Sequence, residues 1–220
     1  MPVPAINPDI AHRVGALLEV LNHVGTFVFA ASGALAAAKL RQTLVTFAFF
    51  ALVTGVGGGT VRDLLIGAPV FWVRDPLVPL VCMAAAVIVW VTPQRWWMAQ
   101  DGSSRALDWL DAIGLAAFAV FGAAKASAFG VAPLPAAMMG VITGCVGGII
   151  RDVLAGQPSI ILRPELYVTA AALAAGLFVL LASLGLSTPV SGALASLAGF
   201  GLRAWAIRGG IALPAYRTRD

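Results

Sequence analysis

Apolar residues run through this chain in long blocks, separated by short clusters of Arg, Asp, Pro and Gly. A helix crossing a hydrocarbon core of roughly 30 Å needs about 20 such residues. Seven blocks of suitable length are visible, at approximately 16–38, 44–67, 77–94, 108–128, 134–156, 165–184 and 189–208. The first has Arg13 before it and ends in Ala36-Ala37-Ala38, the outline of a secretory leader. A leader's apolar region is shorter and would not hold Glu19, Asn22 and His23, so this block is read as a retained helix.

The blocks also repeat. Thr54-Gly55-Val56-Gly57-Gly58-Gly59-Thr60-Val61-Arg62-Asp63 returns 89 positions later as Thr143-Gly144-Cys145-Val146-Gly147-Gly148-Ile149-Ile150-Arg151-Asp152. Leu65, Gly67, Pro69 and Arg74 are answered by Leu154, Gly156, Pro158 and Arg163, and the first span is echoed in the fourth through Gly25/Gly114, Phe29/Phe118 and Gly33/Gly122. The offset of 89 holds without a gap from Asn22/Asp111 to Arg74/Arg163. Each unit therefore has three spans, and an odd number forces the second to enter the membrane from the opposite side. The expected fold is an all-α polytopic membrane protein: seven transmembrane helices as an inverted 3+3 repeat plus one extra helix. Its expected divisions are an external segment 1–15, repeat 1 over 16–94, a cytoplasmic linker 95–107, repeat 2 over 108–184, the seventh span over 185–208 and a cytoplasmic tail 209–220.

Composition requires the membrane setting rather than merely allowing it. Of the 220 residues, 60% are hydrophobic and 11% charged, and the mean hydropathy is +0.93. Soluble domains carry about 25% charged residues. The net charge of +4 does not point to nucleic acid, because the basic residues sit at the ends of apolar blocks instead of forming a stripe. On the seven-span reading, one face carries Lys39, Arg41, Arg95, Arg105, Arg151, Arg163, Arg203, Arg208, Arg217 and Arg219, and the other only Arg13, Arg62, Arg74 and Lys125. The positive-inside bias makes the first face cytoplasmic, with the N-terminus outside and the C-terminus inside, in the cell inner (plasma) membrane. Trp72, Trp96, Trp97, Trp109 and Trp205 near span ends suit the headgroup level of a lipid bilayer. Cys82 and Cys145 have no metal-binding spacing.

The candidate chemistry sits in the repeated segment. Glycines interrupting a hydrophobic span at matching places in two halves point to a permeation or binding site. One reading is that Gly57-Gly58-Gly59 and Gly147-Gly148 unwind or bend their helices and expose carbonyls to a cation. The other is that they let two helices pack closely. Thr54 and Thr143 open the two motifs. Arg62-Asp63 and Arg151-Asp152 are charges at membrane depth, which need partners or water. A pseudo-twofold axis suggests cross-repeat pairing, Arg62 with Asp152 and Asp63 with Arg151. Arg62 lies about 28 Å along its span at ~1.5 Å per residue, so an interfacial anchor and a pathway residue both remain open. Lys125 has Ala36 as its repeat equivalent, and is either a snorkelling end or a gating charge. Asp111, opposite Asn22, is either a first-turn helix partner or an ion contact. His23 reads as a satisfied polar residue, and the small residues Gly192/Ser196 and Ala195/Gly199 let the seventh span approach a neighbour closely.

The paired Gly-Gly-Gly-Thr-Val-Arg-Asp and Gly-Gly-Ile-Ile-Arg-Asp segments, the Gly-x-Pro that follows, and the 3+3+1 plan resemble the prokaryotic branch of the trimeric intracellular cation channel family. The resemblance covers about residues 14–208. It implies a seven-helix protomer, a homotrimer, and a separate pore in each subunit for permeant K+ or Na+, with no cofactor and no resident metal. The family's pore is associated with spans two and five, here Gly57, Gly58, Gly59, Gly147 and Gly148 with their Arg-Asp pairs. Basic residues of span four are tied to gating or lipid in animal members, and only Lys125 is available for that here. The same domain has also been labelled a glycine transporter, so a small-solute carrier is the alternative. An enzyme is not expected: the two Asp match an acid dyad in number, but an adjacent Arg holds each one ionised, and no Gly-x-Ser-x-Gly or zinc motif is present.

Overall fold

A computed structural model describes residues 8–97, 105–162 and 165–214, with backbone only for 8–21, Gln94 and Arg105. Arg163, Arg217 and Arg219 thus lie outside the described residues, as do the side chains of Arg13 and Glu19. The chain forms α1 (Pro8–Lys39), α2 (Leu44–Leu65), a short α3 (Phe71–Arg74), α4 (Leu77–Val91), α5 (Arg105–Ala128), α6 (Pro133–Leu154), α7 (Val168–Ser183) and α8 (Thr188–Gly209). All seven apolar blocks are helical, and α3 is an addition on the loop after α2. Among the described residues the only β pairing is an isolated bridge between Glu165 and Ala212. Among the described residues four helices, α2, α5, α6 and α8, are long and apolar enough to cross a membrane, while α4 and α7 are apolar but shorter. α4 stops before the expected residue 94 because Thr92 turns extended ahead of Pro93, the conformation a following proline favours.

α2 and α6 end in the same way. Ala68 N–H donates to Asp63 O at 2.8 Å and Gln157 N–H to Asp152 O at 3.0 Å. Gly67 and Gly156, at φ +67° and +63°, supply the left-handed residue that such helix ends require. Both helices therefore stop about two residues short of the boundaries expected from hydropathy, because the apolar pattern runs on through the cap.

The two halves build two cores. α1, α2 and α4 enclose Ala34, Leu35, Phe50, Ala51, Cys82 and Ala85. α5, α6, α7 and α8 enclose Leu115, Ala119, Cys145, Ala171, Ala174 and Ala195. α8 belongs to the second core: Gly199 faces Ala174 and the Ala170 carbonyl. Gly199 thus serves packing within the second half.

Close backbone contacts record the inverted symmetry directly. A Cβ at Gly58 would run into the Thr143 carbonyl oxygen, and one at Gly147 into the Thr54 carbonyl oxygen. Residue numbers rise on α2 as they fall on α6, so these equivalent helices cross antiparallel, as span parity demands. The same exchange relates α1 and α5, where Gly25 packs on the Phe118 ring and Gly114 on the Phe29 ring. Phe29 and Phe118 are themselves equivalent, and they stack with centroids 5.2 Å apart. The pseudo-twofold axis passes through this stack and through the α2/α6 crossing.

The glycines do not unwind their helices. α2 is continuous from Leu44 to Leu65 and α6 from Pro133 to Leu154, with Gly57-Gly58-Gly59 and Gly147-Gly148 inside. Their missing side chains are used for close approach, because nothing larger fits between one helix and the other's carbonyls. Gly58→Ala should lower the thermal stability of detergent-purified protein by the ~1–3 kcal/mol typical of overpacking, since a carbonyl on a packed helix has little freedom to shift. Gly176→Ala is the control, as nothing lies within 4 Å of the added Cβ. Equal melting curves for the two variants would contradict this packing.

Candidate functional site

The two Arg-Asp dipeptides lie near the C-terminal ends of α2 and α6, where a positive side chain also meets the negative end of the helix dipole. Each is about four residues past its crossing glycine, or ~6 Å along the axis. Because the helices run antiparallel, the two dipeptides are displaced in opposite directions. That separation is why the expected cross-repeat pairs, Arg62 with Asp152 and Asp63 with Arg151, do not form. Each Arg instead folds back on its own neighbour: Arg62 Nε donates to Asp63 Oδ1 at 2.9 Å, and Arg151 Nε to Asp152 Oδ1 at 2.9 Å.

The second carboxylate oxygen is used equivalently in both halves. Asp63 Oδ2 accepts from Phe71 N–H at 2.9 Å, and Asp152 Oδ2 from Ile160 N–H at 2.8 Å. Phe71 and Ile160 are again 89 apart. Each Asp thus ties the end of its helix to the start of the next short helical turn, α3 in one half and a 3-10 turn in the other.

Third partners come from α5 and differ between the halves. Lys125 Nζ lies 2.8 Å from Asp63 Oδ1, which links the repeats. Arg151 Nη1 lies 2.5 Å from Asp111 Oδ1 and donates to Ser32 Oγ on α1 at 3.1 Å, a second link between the halves. Ser32 and Phe121 are equivalent positions, and the Phe121 ring takes the corresponding place beside Arg62, with its centroid 5.1 Å from the guanidinium. Arg62 is 0% exposed and Arg151 1%, so both guanidinium groups are held inside the protein. The Lys125 side chain is 20% exposed and ion-paired, so it is not a free snorkelling end. Asp111 sits in the second turn of α5, committed to Arg151 and not to the helix N-terminus.

The remaining site residues gather around these clusters. Thr54 and Thr143 form the crossing through their carbonyls, and Thr143 Oγ1 donates to Met139 O at 2.6 Å. Gly57 packs on Ile150, Gly59 on the Phe71 ring, and Gly148 on the Tyr167 hydroxyl and Asp111. His23 pairs with Asp75 at 3.1 Å, in keeping with a satisfied polar residue. Among the described residues no group of three or more His, Cys, Asp or Glu is placed to hold a metal ion. The two motif carboxylates lie on opposite sides of the crossing, each bound to its own arginine, an arrangement that cannot share a proton as an acid dyad must.

Ser32, Phe121, Tyr167 and the Phe71 and Ile160 amides were not among the residues singled out in the sequence. The offset of 89 links Ser32 to Phe121 and Phe71 to Ile160, and so carries a signal for four of them. Tyr167 has none. The ion pairs predict an order of effects. Asp63→Asn leaves Arg62 and Lys125 buried without their carboxylate and should cost about 3–5 kcal/mol, the range for breaking a buried pair. Lys125→Ala installs the residue that repeat 1 already uses at position 36 and should cost less. Thermal unfolding of the two variants in detergent checks this, and a reversed order would contradict it.

Comparison with known proteins follows the same geometry. Residues 19–94 and 108–183 each match the family described as Glycine transporter, two segments offset by the same 89 positions. The UPF0126 inner membrane protein YadS of Escherichia coli is 46% identical over 160 residues, covering 70% of this chain and 73% of that protein. A UPF0126 membrane protein of Vibrio cholerae is 42% identical over 176 residues, covering 74% and 70%. Among solved structures, the trimeric intracellular cation channel orthologue from Rhodobacter sphaeroides superposes with a TM-score of 0.82 at 40% identity, covering 89% of this chain and 99% of that one. A prokaryotic channel of the same kind, solved in 0.5 M KCl, gives 0.82 at 27% identity, with 90% and 99% covered. A Caenorhabditis elegans member at 14% identity shares the fold, with a TM-score of 0.60. With the duplicated motif, the inverted halves and these matches in agreement, the chain belongs to the prokaryotic branch of the trimeric intracellular cation channel family, the group also described as Glycine transporter.

Proposed function

We propose that each protomer conducts monovalent cations, K+ foremost, along the α2/α6 crossing, and that the protein works as a homotrimer in the cell inner membrane with its N-terminus outside. The observation that carries this reading is the pair of ion-paired clusters flanking that crossing from opposite sides. An unanswered arginine would repel a cation, but Asp63 and Asp152 cancel each arginine at about 3 Å. The similarity to solved cation channels supports the same reading. In the conformation seen here Thr54, Thr143 and both Arg-Asp pairs are buried, so conduction requires an opening that hydrates them. Lys125, half in the cluster and linked to the other repeat through Asp63, is the group such an opening would release.

A second reading, a carrier for glycine or a similarly small solute, is favoured by the family description matched to both halves. Broken or closely crossed helices at the interface of inverted repeats serve carriers as well as channels. The two readings differ in rate. Purified protein in a planar bilayer should give discrete unitary K+ currents, and Asp63→Asn, which uncovers Arg62 and Lys125, should reduce the current by roughly tenfold or more. Saturating glycine flux with no unitary current would favour the carrier. A reporter fused after Asp220 should read as cytoplasmic; an external signal would overturn the proposed orientation.

A further inference from the structure

The short turns that follow α2 and α6 occupy equivalent places but are fastened differently. Both are tied to their motif carboxylate through the backbone, Phe71 N–H to Asp63 Oδ2 and Ile160 N–H to Asp152 Oδ2. The first turn carries two further side-chain bonds. Trp72 Nε1 donates to Thr60 Oγ1 at 2.9 Å, and Asp75, the residue after α3, pairs with His23 of α1 at 3.1 Å. At the matching positions of the second half stand Ile161, Ile149, Pro164 and Ala112, whose side chains cannot make either bond. The ties through Asp63 and Asp152 therefore belong to the shared fold, whereas the two added ones belong to α3 alone.

α3 also covers what lies beneath it. The Phe71 ring packs on Gly59, and its centroid lies 5.8 Å from the Arg62 guanidinium and 6.0 Å from Lys125 Nζ. Gly148, the equivalent of Gly59, has Tyr167, Asp111 and Arg151 as its nearest neighbours instead. α3 thus lies across the C-terminal end of α2, one residue beyond the crossing glycine Gly58. The segment is bounded by residues that bend the chain, with Gly67 at φ +67° before it and Pro76 after Asp75. None of its four side chains is fully buried. Packing alone holds it weakly, so its side-chain bonds decide how often it lifts.

We propose that α3 is a lid on the outer mouth of the ion path, and that His23 and Asp75 form a latch through which external protons hold it shut. The inference rests on the proposed path along the α2/α6 crossing and on the proposed topology, which puts this end of α2 outside. Lifting α3 takes the Phe71 ring off Gly59 and Arg62 and lets water reach the cluster. Histidine changes charge between about pH 5 and 8. With His23 protonated the latch is an ion pair; with His23 neutral it is a hydrogen bond, and α3 lifts more often. The other charged or titratable groups on this end of α1 and on the elements around it are His12, Glu19, Arg62, Asp63, Arg74 and Lys125. Of these, Arg62, Asp63 and Lys125 are paired among themselves.

The test uses full-length protein in planar bilayers, with the pH changed on one side at a time. Acidifying the side that faces the N-terminus, from about pH 8 to about 6, should cut the mean current roughly two- to fivefold, the range of a part-exposed ion pair. The same change on the opposite side should have no effect. His23→Gln should abolish the response and keep the high-pH current, and His12→Gln should retain the response. Amide hydrogen exchange in detergent reads the lid without any current. Trp72→Phe and Asp75→Asn, the latter keeping the oxygen that caps Leu77 N–H, should each speed exchange at Phe71 severalfold. Ile160, which has the same backbone tie, should be unchanged and so reports that the variants are folded. No pH response in conducting wild type, or one that persists in His23→Gln, would overturn the latch. Exchange at Phe71 unchanged in both variants would overturn the lid. Faster exchange at Phe71 in a protein that passes no unitary current would leave the lid standing and remove the channel reading.

Discussion

An arginine inside a hydrocarbon slab has to be neutralised within a few ångströms or be drawn out to water. Among the described residues three arginines are buried, and each has a carboxylate: Asp63 for Arg62, Asp152 for Arg151 and Glu165 for Arg203. The first two pairings fix much of what surrounds them. Each Asp spends its other oxygen on the backbone N–H of the following helical turn, so the charge pair also shapes the loop that reverses the chain. α5 must then bring Lys125 to one cluster and Asp111 to the other. Ion pairs at both of its ends hold α5 in register with α2 and α6.

The glycines make this arrangement possible by a different route from the one their sequence pattern first suggests. A run of three glycines in an apolar block reads as a break, because glycine weakens helices in water. In a bilayer the alternative to an internal hydrogen bond is no hydrogen bond, and the helix persists. What glycine contributes there is the absence of a side chain, which lets the Thr54 and Thr143 carbonyls sit against Gly147 and Gly58. Close approach brings the two halves together at the pseudo-twofold axis and leaves the charged dipeptides on either side of it.

Much of the fold was legible in the sequence because the hydrophobic blocks and the offset of 89 are both strong signals. Parity alone gave the inverted orientation that the antiparallel crossing displays. The charge partners were less legible. Cross-repeat pairing of the two motifs follows from symmetry only if both lie on the axis, and four residues of displacement along antiparallel helices rule that out. Lys125 and Asp111 were visible as departures from the repeat, but their partners depend on how α5 packs, which no periodicity reports. Tyr167 lies on the turn into α7 and reaches Gly148 only through tertiary packing.

The central claim is that ions pass along the α2/α6 crossing, between the two ion-paired clusters. The most direct measurement uses Ag+, a thiol-reactive cation of about the size of K+, on Ile150→Cys in protein whose Cys82 and Cys145 have been replaced by Ala. The Ile150 side chain lies against Gly57 across the crossing, so the added thiol should be modified from the conducting state with irreversible loss of the unitary current. Unitary currents that persist unchanged under Ag+ would show that the ion path lies elsewhere in the protomer.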